Sequence, residues 1–261
     1  MKLEICKLCN KSKELQRSHV IGRSVFNNLL KNTEGNYGYI TLLDEKKIEK
    51  TSDHWALPML CSTCESLLNS RYENYSIWTL KNKQKGVKHK IKDTYLQIQN
   101  ANQYRLIMYV VSIFWRAIHS EHRVFKNINM PIEIENHLKT CILGKISLQK
   151  NLIYIRIFKL INTSGILPNL PLNEFITNIV QTKDQHKLSF YTIFEGYYFE
   201  INFDTTDTYK YSELGILNPR KRVLNIPYKE IFSIKDIIDY WQKTKSIHSN
   251  SNPNNTNKKQ P

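Results

Sequence analysis

Apolar residues recur along this chain in two spacings, and each spacing predicts a different kind of element. A period of three to four residues predicts helices, and it occurs at residues 25–30, 65–78, 104–122, 173–182 and 228–243. Alternating or β-branched apolar runs predict strands, and these are residues 18–21, 39–43, 151–160 and 188–203. In the last run, Glu195 and Gly196 predict a hairpin turn or a bulge. The mixture predicts an α+β fold.

The longest apolar stretch, residues 106–118, predicts a buried helix rather than a membrane span. A span needs about 20 apolar residues, and this stretch contains Ser112 and Arg116. An arginine in such a helix is usually a structural member of an ion pair. Residues 1–6 contain no apolar run, so no secretory signal is expected. We expect a cytoplasmic protein with no membrane partner.

The distribution of motifs divides the chain into four predicted parts. Residues 1–78 contain every motif that suggests chemistry, and residues 79–100 form a basic linker or strip. Residues 101–245 predict a mixed helix and antiparallel-sheet domain. Residues 246–261 are rich in Ser, Asn, Pro and Lys, which predicts a disordered tail.

The net charge of +15 and the sequence pI of about 9.5 favour a polyanionic partner. DNA is the expected partner, although a composition rich in Lys, Asn and Ile is also what an AT-rich genome would produce. Residues 81–92 contain six lysines and no acid. This run is either a solvated face or a strip that follows phosphates. The candidate phosphate-binding lysines are Lys81, Lys83, Lys85, Lys88 and Lys90.

Four of the five cysteines form two Cys-x-x-Cys pairs, which are Cys6 with Cys9 and Cys61 with Cys64. Two such pairs suit one tetrahedral zinc ion. A redox motif would need one pair within a βαβ pattern, which neither pair has. The sequence therefore predicts a structural zinc site in a reducing compartment. The fifth, Cys141, lies in an apolar context and predicts a small buried side chain.

His19 lies between the two pairs, in the step Ser18-His19-Val20-Ile21. Arg17 and Arg23 flank it and would suit an approaching phosphate. A lone histidine is more often an ordinary surface or core residue, and that interpretation stays open at this point.

Three motifs occur in order: Cys6-x-x-Cys9, the polar-His19-Val20-Ile21 step, and Leu60-Cys61-x-x-Cys64 before a predicted helix. Together they resemble the zinc-containing HNH endonucleases, over residues 1–78 and so less than a third of the chain. The resemblance implies a small zinc-stapled ββα-metal (HNH-like) domain followed by the mixed helix and antiparallel-sheet domain. It also implies that His19 is the general base, that the four cysteines hold zinc, and that Mg²⁺ or Mn²⁺ is the catalytic ion.

The chain departs from the family pattern at three places. Gly22 stands where a proline is usual, and Glu65 stands where a histidine or asparagine is usual. No asparagine lies just before Leu60, and His54 is the nearest polar candidate. Glu65 and Glu73 are similar to a glutamate pair in one subgroup of the family, and hard cations accept carboxylates. Glu65 would be the ligand of the catalytic ion, unless it only interacts with the helix dipole, and Glu73 could instead be a structural ion-pair partner.

The expected function is that of a metal-dependent endonuclease that hydrolyses phosphodiester bonds in DNA. The resemblance suggests a restriction, anti-phage or mobile-element system, in which a regulatory protein or a second copy of the chain controls cleavage. One alternative is a catalytically decayed zinc-stapled module that binds nucleic acid or acts as an adaptor, which Gly22 and the missing asparagine favour. A second alternative is a zinc-ribbon factor in RNA processing.

Overall fold

The computed structural model describes residues 2–31, 38–43, 45, 47–149, 152–166, 171–182, 188–203 and 214–239. It is an α+β protein built on one large, mainly antiparallel sheet with helices packed against it, which confirms the predicted class. The predicted tail, residues 246–261, lies outside the described residues. No helix within the described ranges is long and apolar enough to cross a membrane.

The first 80 residues form short antiparallel pairs and one long helical run. The strands are β1 (Glu4–Ile5), β2 (Ser12–Lys13), β3 (Leu15–His19), β4 (Gly38–Leu42), β5 (Lys47–Thr51) and β6 (Ala56–Cys61). Helix α1 (Arg23–Lys31) follows β3, and β6 leads directly into α2 (Ser62–Leu68). A π-helical turn, Asn69–Glu73, then joins α2 to α3 (Asn74–Leu80). Because β3 and β6 are antiparallel partners, the end of β3 lies beside the start of β6.

Seven of the eight remaining strands form the seven-stranded sheet, in the order β11-β12-β13-β9-β14-β8-β7. They are β7 (Lys88–Ile91), β8 (Tyr95–Gln99), β9 (Ile153–Ile161), β10 (Ile176–Thr177), β11 (Val180–Gln181), β12 (Ser189–Phe194), β13 (Tyr197–Phe203) and β14 (Leu224–Glu230). Strand β10 instead joins β4 in a three-stranded sheet with β5. The β12–β13 hairpin turns at Glu195 and Gly196, both with positive φ, as predicted.

Helices α4 (Gln103–His119) and α5 (Ile132–Ile142) complete the core. The Asn102 side chain accepts a hydrogen bond from the Arg105 amide and caps α4. The helix is buried along most of its length, and Phe114 and Tyr109 pack against Phe190 and Phe194 of β12. This confirms the buried helix predicted around residues 106–118.

One continuous hydrophobic core includes residues from both predicted domains. Trp55 of the first 78 residues packs edge-on against Phe125, with ring centroids 5.4 Å apart. The predicted domain boundaries remain predictions. What the core establishes is that the N-terminal elements are packed on α4 rather than tethered to it.

Three predicted elements are wrong in part. Residues 173–182 are not a helix but a 3₁₀ turn followed by β10 and β11, because β-branched Ile176, Thr177 and Val180 pair with neighbouring strands. Residues 228–230 end β14, Ile231–Ser233 form a 3₁₀ turn, and an α-helical conformation covers only 235–239 of the described residues in this range. Of the strand predicted at 18–21, only the first two residues belong to β3.

Candidate functional site

The four paired cysteines meet at one point. Their sulfur atoms all lie within 4.8 Å of one another, and Cys9 Sγ is 3.9 Å from Cys61 Sγ. Four thiolates on a tetrahedral zinc ion, each bonded at about 2.3 Å, would be separated by about 3.8 Å. The cysteines are free rather than disulfide-bonded. The cluster could therefore hold a metal ion such as zinc.

The local backbone explains how the two Cys-x-x-Cys pairs direct their sulfur atoms toward one point. The first turn is closed by a hydrogen bond from the Asn10 amide to the Cys6 carbonyl, with Asn10 at φ 59°. The Cys61 amide donates to Cys6 Sγ over 3.3 Å. Burial, followed by the charge of Cys6, raises the pKa of the Cys64 thiol. Since a buried thiolate needs a cation to be stable, this environment suits a bound metal.

His19 ends β3 and lies half-buried beside Ala56 of β6. Its carbonyl accepts a hydrogen bond of 2.6 Å from Arg116 Nη1, which fixes the backbone at this position. Burial, and then the charges of His54, Arg116, Arg23 and Arg17 in that order, together lower the pKa of His19 from 6.5 to about 4. The imidazole is therefore neutral near pH 7 and able to accept a proton.

His54 faces His19 across a hollow, with ring centroids 5.9 Å apart. Its ring also stacks on Phe26 at 5.7 Å. The next residue, Trp55, has a φ of 52°, which is unusual for a bulky side chain. This conformation is held by the Asp53 carboxylate, which accepts from the Trp55 amide, and by burial of the indole. Burial, then the charge of Arg23, lowers the pKa of His54.

The π-helical turn brings Glu73 onto the same helix face as Glu65. In a regular α-helix, residues seven apart share a face, whereas residues eight apart diverge by about 80°. The turn at Asn69–Glu73 inserts about one extra residue, so a spacing of eight acts as a spacing of seven. Both glutamates consequently line the hollow that contains His19.

The two carboxylates differ in their partners. Glu65 Oε2 is buried and has no hydrogen-bond partner among the described residues, and burial raises the pKa of Glu65. Glu73 Oε2 lies 3.3 Å from Arg116 Nη2. Arg116 is itself 1% exposed, so Glu73 is the ion-pair partner that the sequence predicted for this arginine. Ser18 also hydrogen-bonds to the Glu65 carboxyl group, so the unpartnered atom is Oε2 and not the whole carboxylate.

Gly22 leaves the space that the Glu73 carboxylate occupies. A Cβ atom at Gly22 would lie 2.2 Å from Glu73 Oε1, far inside van der Waals contact. The carboxylate cannot easily move away because Arg116 holds its other oxygen. The glycine at this position, where the HNH family usually has proline, therefore has a physical reason in this chain.

Gly22→Ala should lower the free energy of unfolding by about 1–3 kcal/mol through overpacking against Glu73. Urea denaturation measures the loss. Gly165→Ala is the comparison variant, because Gly165 has a φ of 68° but no neighbouring atom within 4 Å. Its cost is backbone strain of about 1 kcal/mol. A Gly22→Ala loss no larger than that of Gly165→Ala would contradict the close contact.

The hollow has a volume of about 800 Å³ and brings together the four predicted catalytic residues and the two predicted phosphate-binding arginines. It is lined by His19, His54, Glu65, Glu73, Arg17, Arg23 and Arg116, together with Asp53, Ser66 and Asn69. The sequence did not assign Arg116, Ser66 or Asn69 to the site, since only the packing of α4 and the helical run places them there. Among the described residues, the four cysteines are the one group of three or more His, Cys, Asp or Glu side chains whose ligand atoms are close enough to share a metal ion.

The predicted lysine strip is not part of this hollow. Lys83, Lys85, Lys88 and Lys90 are exposed at or near the edge strand β7. Lys81 instead forms an ion pair of 2.7 Å with Glu195 and is mostly buried, so its charge is already compensated. The four exposed lysines remain candidates for contacts with phosphates.

Comparisons with models of protein families, with curated proteins and with solved structures found no match for this chain. Its function therefore has to be inferred from the geometry and chemistry of its sites.

Proposed function

We propose that the protein is a metal-dependent endonuclease of the HNH type that hydrolyses phosphodiester bonds in DNA. The observation that carries this proposal is the convergence of a neutral imidazole, a carboxylate with one buried unpartnered oxygen, and two exposed arginines in one hollow. These are His19, Glu65, Arg17 and Arg23. The cysteine cluster lies immediately beside them, since Glu65 follows Cys64 directly.

His19 acts as the general base. A neutral imidazole at the C-terminal end of β3 can remove a proton from a water molecule as that water attacks the phosphorus. The Arg116 hydrogen bond to the His19 carbonyl holds the backbone so that the ring keeps its direction. His54, 5.9 Å away, is placed to contact the phosphate or to complete the ion site.

Glu65 would hold the catalytic divalent ion. Its buried, unpartnered oxygen is the kind of hard donor that Mg²⁺ and Mn²⁺ bind, and Mg²⁺ commonly takes only one or two protein carboxylates and keeps several waters. When bound, such an ion supplies positive charge to the phosphate and to the leaving oxygen. The four cysteines would hold zinc in a purely structural role.

The arginines and the exposed lysines supply affinity for the backbone of the nucleic acid. Arg17 donates to the Ala56 carbonyl over 3.2 Å, which orients its guanidinium at the rim of the hollow, and Arg23 begins α1 on the other side. Contacts of this type are independent of sequence and weaken as salt rises. A control protein or a second copy of the chain would then have to limit cleavage in the cell.

The rate of DNA cleavage is expected to stay high on the acid side of neutrality. Because the pKa of His19 is lowered to about 4 rather than raised, the base form persists well below the ordinary histidine value of 6.5. Single-turnover nicking at saturating Mn²⁺, measured from about pH 5 to 8, would report this dependence. A cleavage rate that falls with decreasing pH and reaches half its maximum near pH 6.5 would contradict the assigned environment of His19.

The proposal is tested with supercoiled plasmid, Mg²⁺ or Mn²⁺, and EDTA as the control. We expect nicked and linear products with either metal and none with EDTA. Tight binding to duplex DNA without cleavage in any metal would favour the decayed adaptor module. Preferential binding to single-stranded RNA, again without DNA cleavage, would favour the RNA-processing factor.

A further inference from the structure

A second cavity, of about 830 Å³, lies between the end of α3 and the β12–β13 turn and shares no lining residue with the His19 hollow. Five apolar residues contribute to its lining: Leu80, Ile91, Leu96, Leu160 and Ile161. Charged and polar groups complete the lining. Cavities of about 300–1,000 Å³ with apolar walls and a few polar groups are typical of small-molecule sites.

The charged groups of this cavity do not balance. The Glu195 carboxylate is paired with Lys81 over 2.7 Å. Lys159 has no hydrogen bond or ion pair within the described part of the chain, and its ammonium lies 4.2 Å from the centre of the Tyr197 ring. Glu174, the other carboxylate of the lining, has a partner within the protein. The half-buried Lys159 ammonium therefore has no direct ion pair within the described residues, and the carboxylate whose charge acts on it, that of Glu195, is paired with Lys81.

The Lys159 ammonium lies beside the backbone of the β12–β13 turn. Glu195 has a φ of 55°, which is a rare conformation for a residue other than glycine. A Cβ atom at Gly196 would lie 2.8 Å from Lys159 Nζ and 2.6 Å from Asn173 Oδ1. Both polar groups therefore converge on the same side of the hairpin turn. Burying a cation without a partner is costly, and burial lowers the pKa of Lys159.

We propose that this cavity binds a small organic anion, whose carboxylate or phosphate pairs with Lys159 and whose apolar body lies against Leu96 and Leu160. An anion at this position would give Lys159 a direct ion-pair partner, and the apolar wall would select a molecule with a hydrophobic ring. Lys83, which is exposed in the lining, would add attraction at the mouth. The site does not depend on the nuclease activity of the His19 hollow.

Binding is tested on the full chain by isothermal titration with 2-naphthoate, 2-naphthyl phosphate and the neutral 2-naphthol. We expect at least one of the two anions to saturate with a dissociation constant of about 1 mM or tighter. The neutral compound should bind at least tenfold or so more weakly, because it cannot pair with Lys159. The tighter of the two anions identifies the site as one for carboxylates or for phosphates.

Lys159→Met should weaken binding of the better anion by roughly 30-fold or more. Lys229→Met is the matched control, since Lys229 is also half-buried beside aromatic rings, Phe158 and Tyr198, but does not line the cavity. It should change the dissociation constant by no more than about twofold. Equal binding of 2-naphthol and the anions, no saturation by either anion, or unchanged affinity in Lys159→Met would overturn the proposal.

Thermal unfolding without ligand separates a binding lysine from a structural one. Since Lys159→Met removes an unpaired half-buried cation, the melting temperature of the variant should equal or exceed that of the parent. A melting temperature several degrees lower would assign Lys159 to the support of the fold and would also overturn the proposal.

Discussion

Cys64→Ala is expected to abolish zinc binding and to unfold the elements around His19. The thiols come from the turn between β1 and β2, from the end of β6 and from the first turn of α2, and the two Cys-x-x-Cys pairs are far apart in the chain. Structural zinc sites of this type contribute about 10–16 kcal/mol of apparent binding free energy at neutral pH. Loss of one thiolate leaves an incomplete tetrahedron and three thiols, two of them buried, so the metal no longer connects β1–β2 to the start of α2.

The measurement is metal content by mass spectrometry together with amide hydrogen exchange. The parent should contain one zinc per chain, and the variant should contain none and exchange rapidly from Glu4 to Cys61. Cys141→Ala is the matched control, because Cys141 is also buried but does not belong to the cluster. It should retain the metal. A zinc-free parent that remains protected throughout this segment would show that the cysteines are only core residues.

Arg116→Met is expected to lower the free energy of unfolding by about 3–5 kcal/mol, because it leaves the buried Glu73 carboxylate without a cation. It also removes the donor to the His19 carbonyl. The largest part of the loss should be electrostatic. Adding Glu73→Gln to Arg116→Met should therefore restore much of the stability, since the buried charge is then gone.

Urea denaturation of both single variants and of the double variant gives the coupling energy directly. Arg105→Met is the comparison, because Arg105 lies on the same helix and is half-buried, but its guanidinium contacts the Tyr75 ring and carbonyls of the π-helical turn and no carboxylate among the described residues. Its loss should be about 1 kcal/mol. Strictly additive effects of Arg116→Met and Glu73→Gln would contradict the ion pair.

Much of the local structure follows from the sequence. The spacing of the two Cys-x-x-Cys pairs was sufficient to predict that four thiols meet, and the structure places them within 4.8 Å. The apolar stretch around Arg116 predicted a buried helix, and Glu195-Gly196 predicted the turn of the β12–β13 hairpin. These features depend on neighbouring residues and on metal-ligand chemistry, which a single sequence displays.

Features that depend on packing between distant segments could not be predicted. Glu65 and Glu73 are eight residues apart, and the sequence contains no sign of the π-helical turn that aligns them within the helical run. Arg116 reaches the site because α4 packs against that turn and α3. Residues 173–182 show helical spacing, yet parts of this range pair with neighbouring strands. Pairing with an available strand edge outweighs a weak local preference for helix.

The most direct test of the proposed active site compares two histidines in the plasmid-nicking assay. His119 resembles His19 in being half-buried with a pKa lowered to about 4 by burial, but it does not line the hollow. His19→Ala should reduce the single-turnover rate with Mn²⁺ by about 10²–10⁴-fold, as expected for removal of a general base. His119→Ala, provided that it folds, should cut at nearly the parent rate. Cleavage by folded His19→Ala at the parent rate would contradict the assignment of His19 as the base.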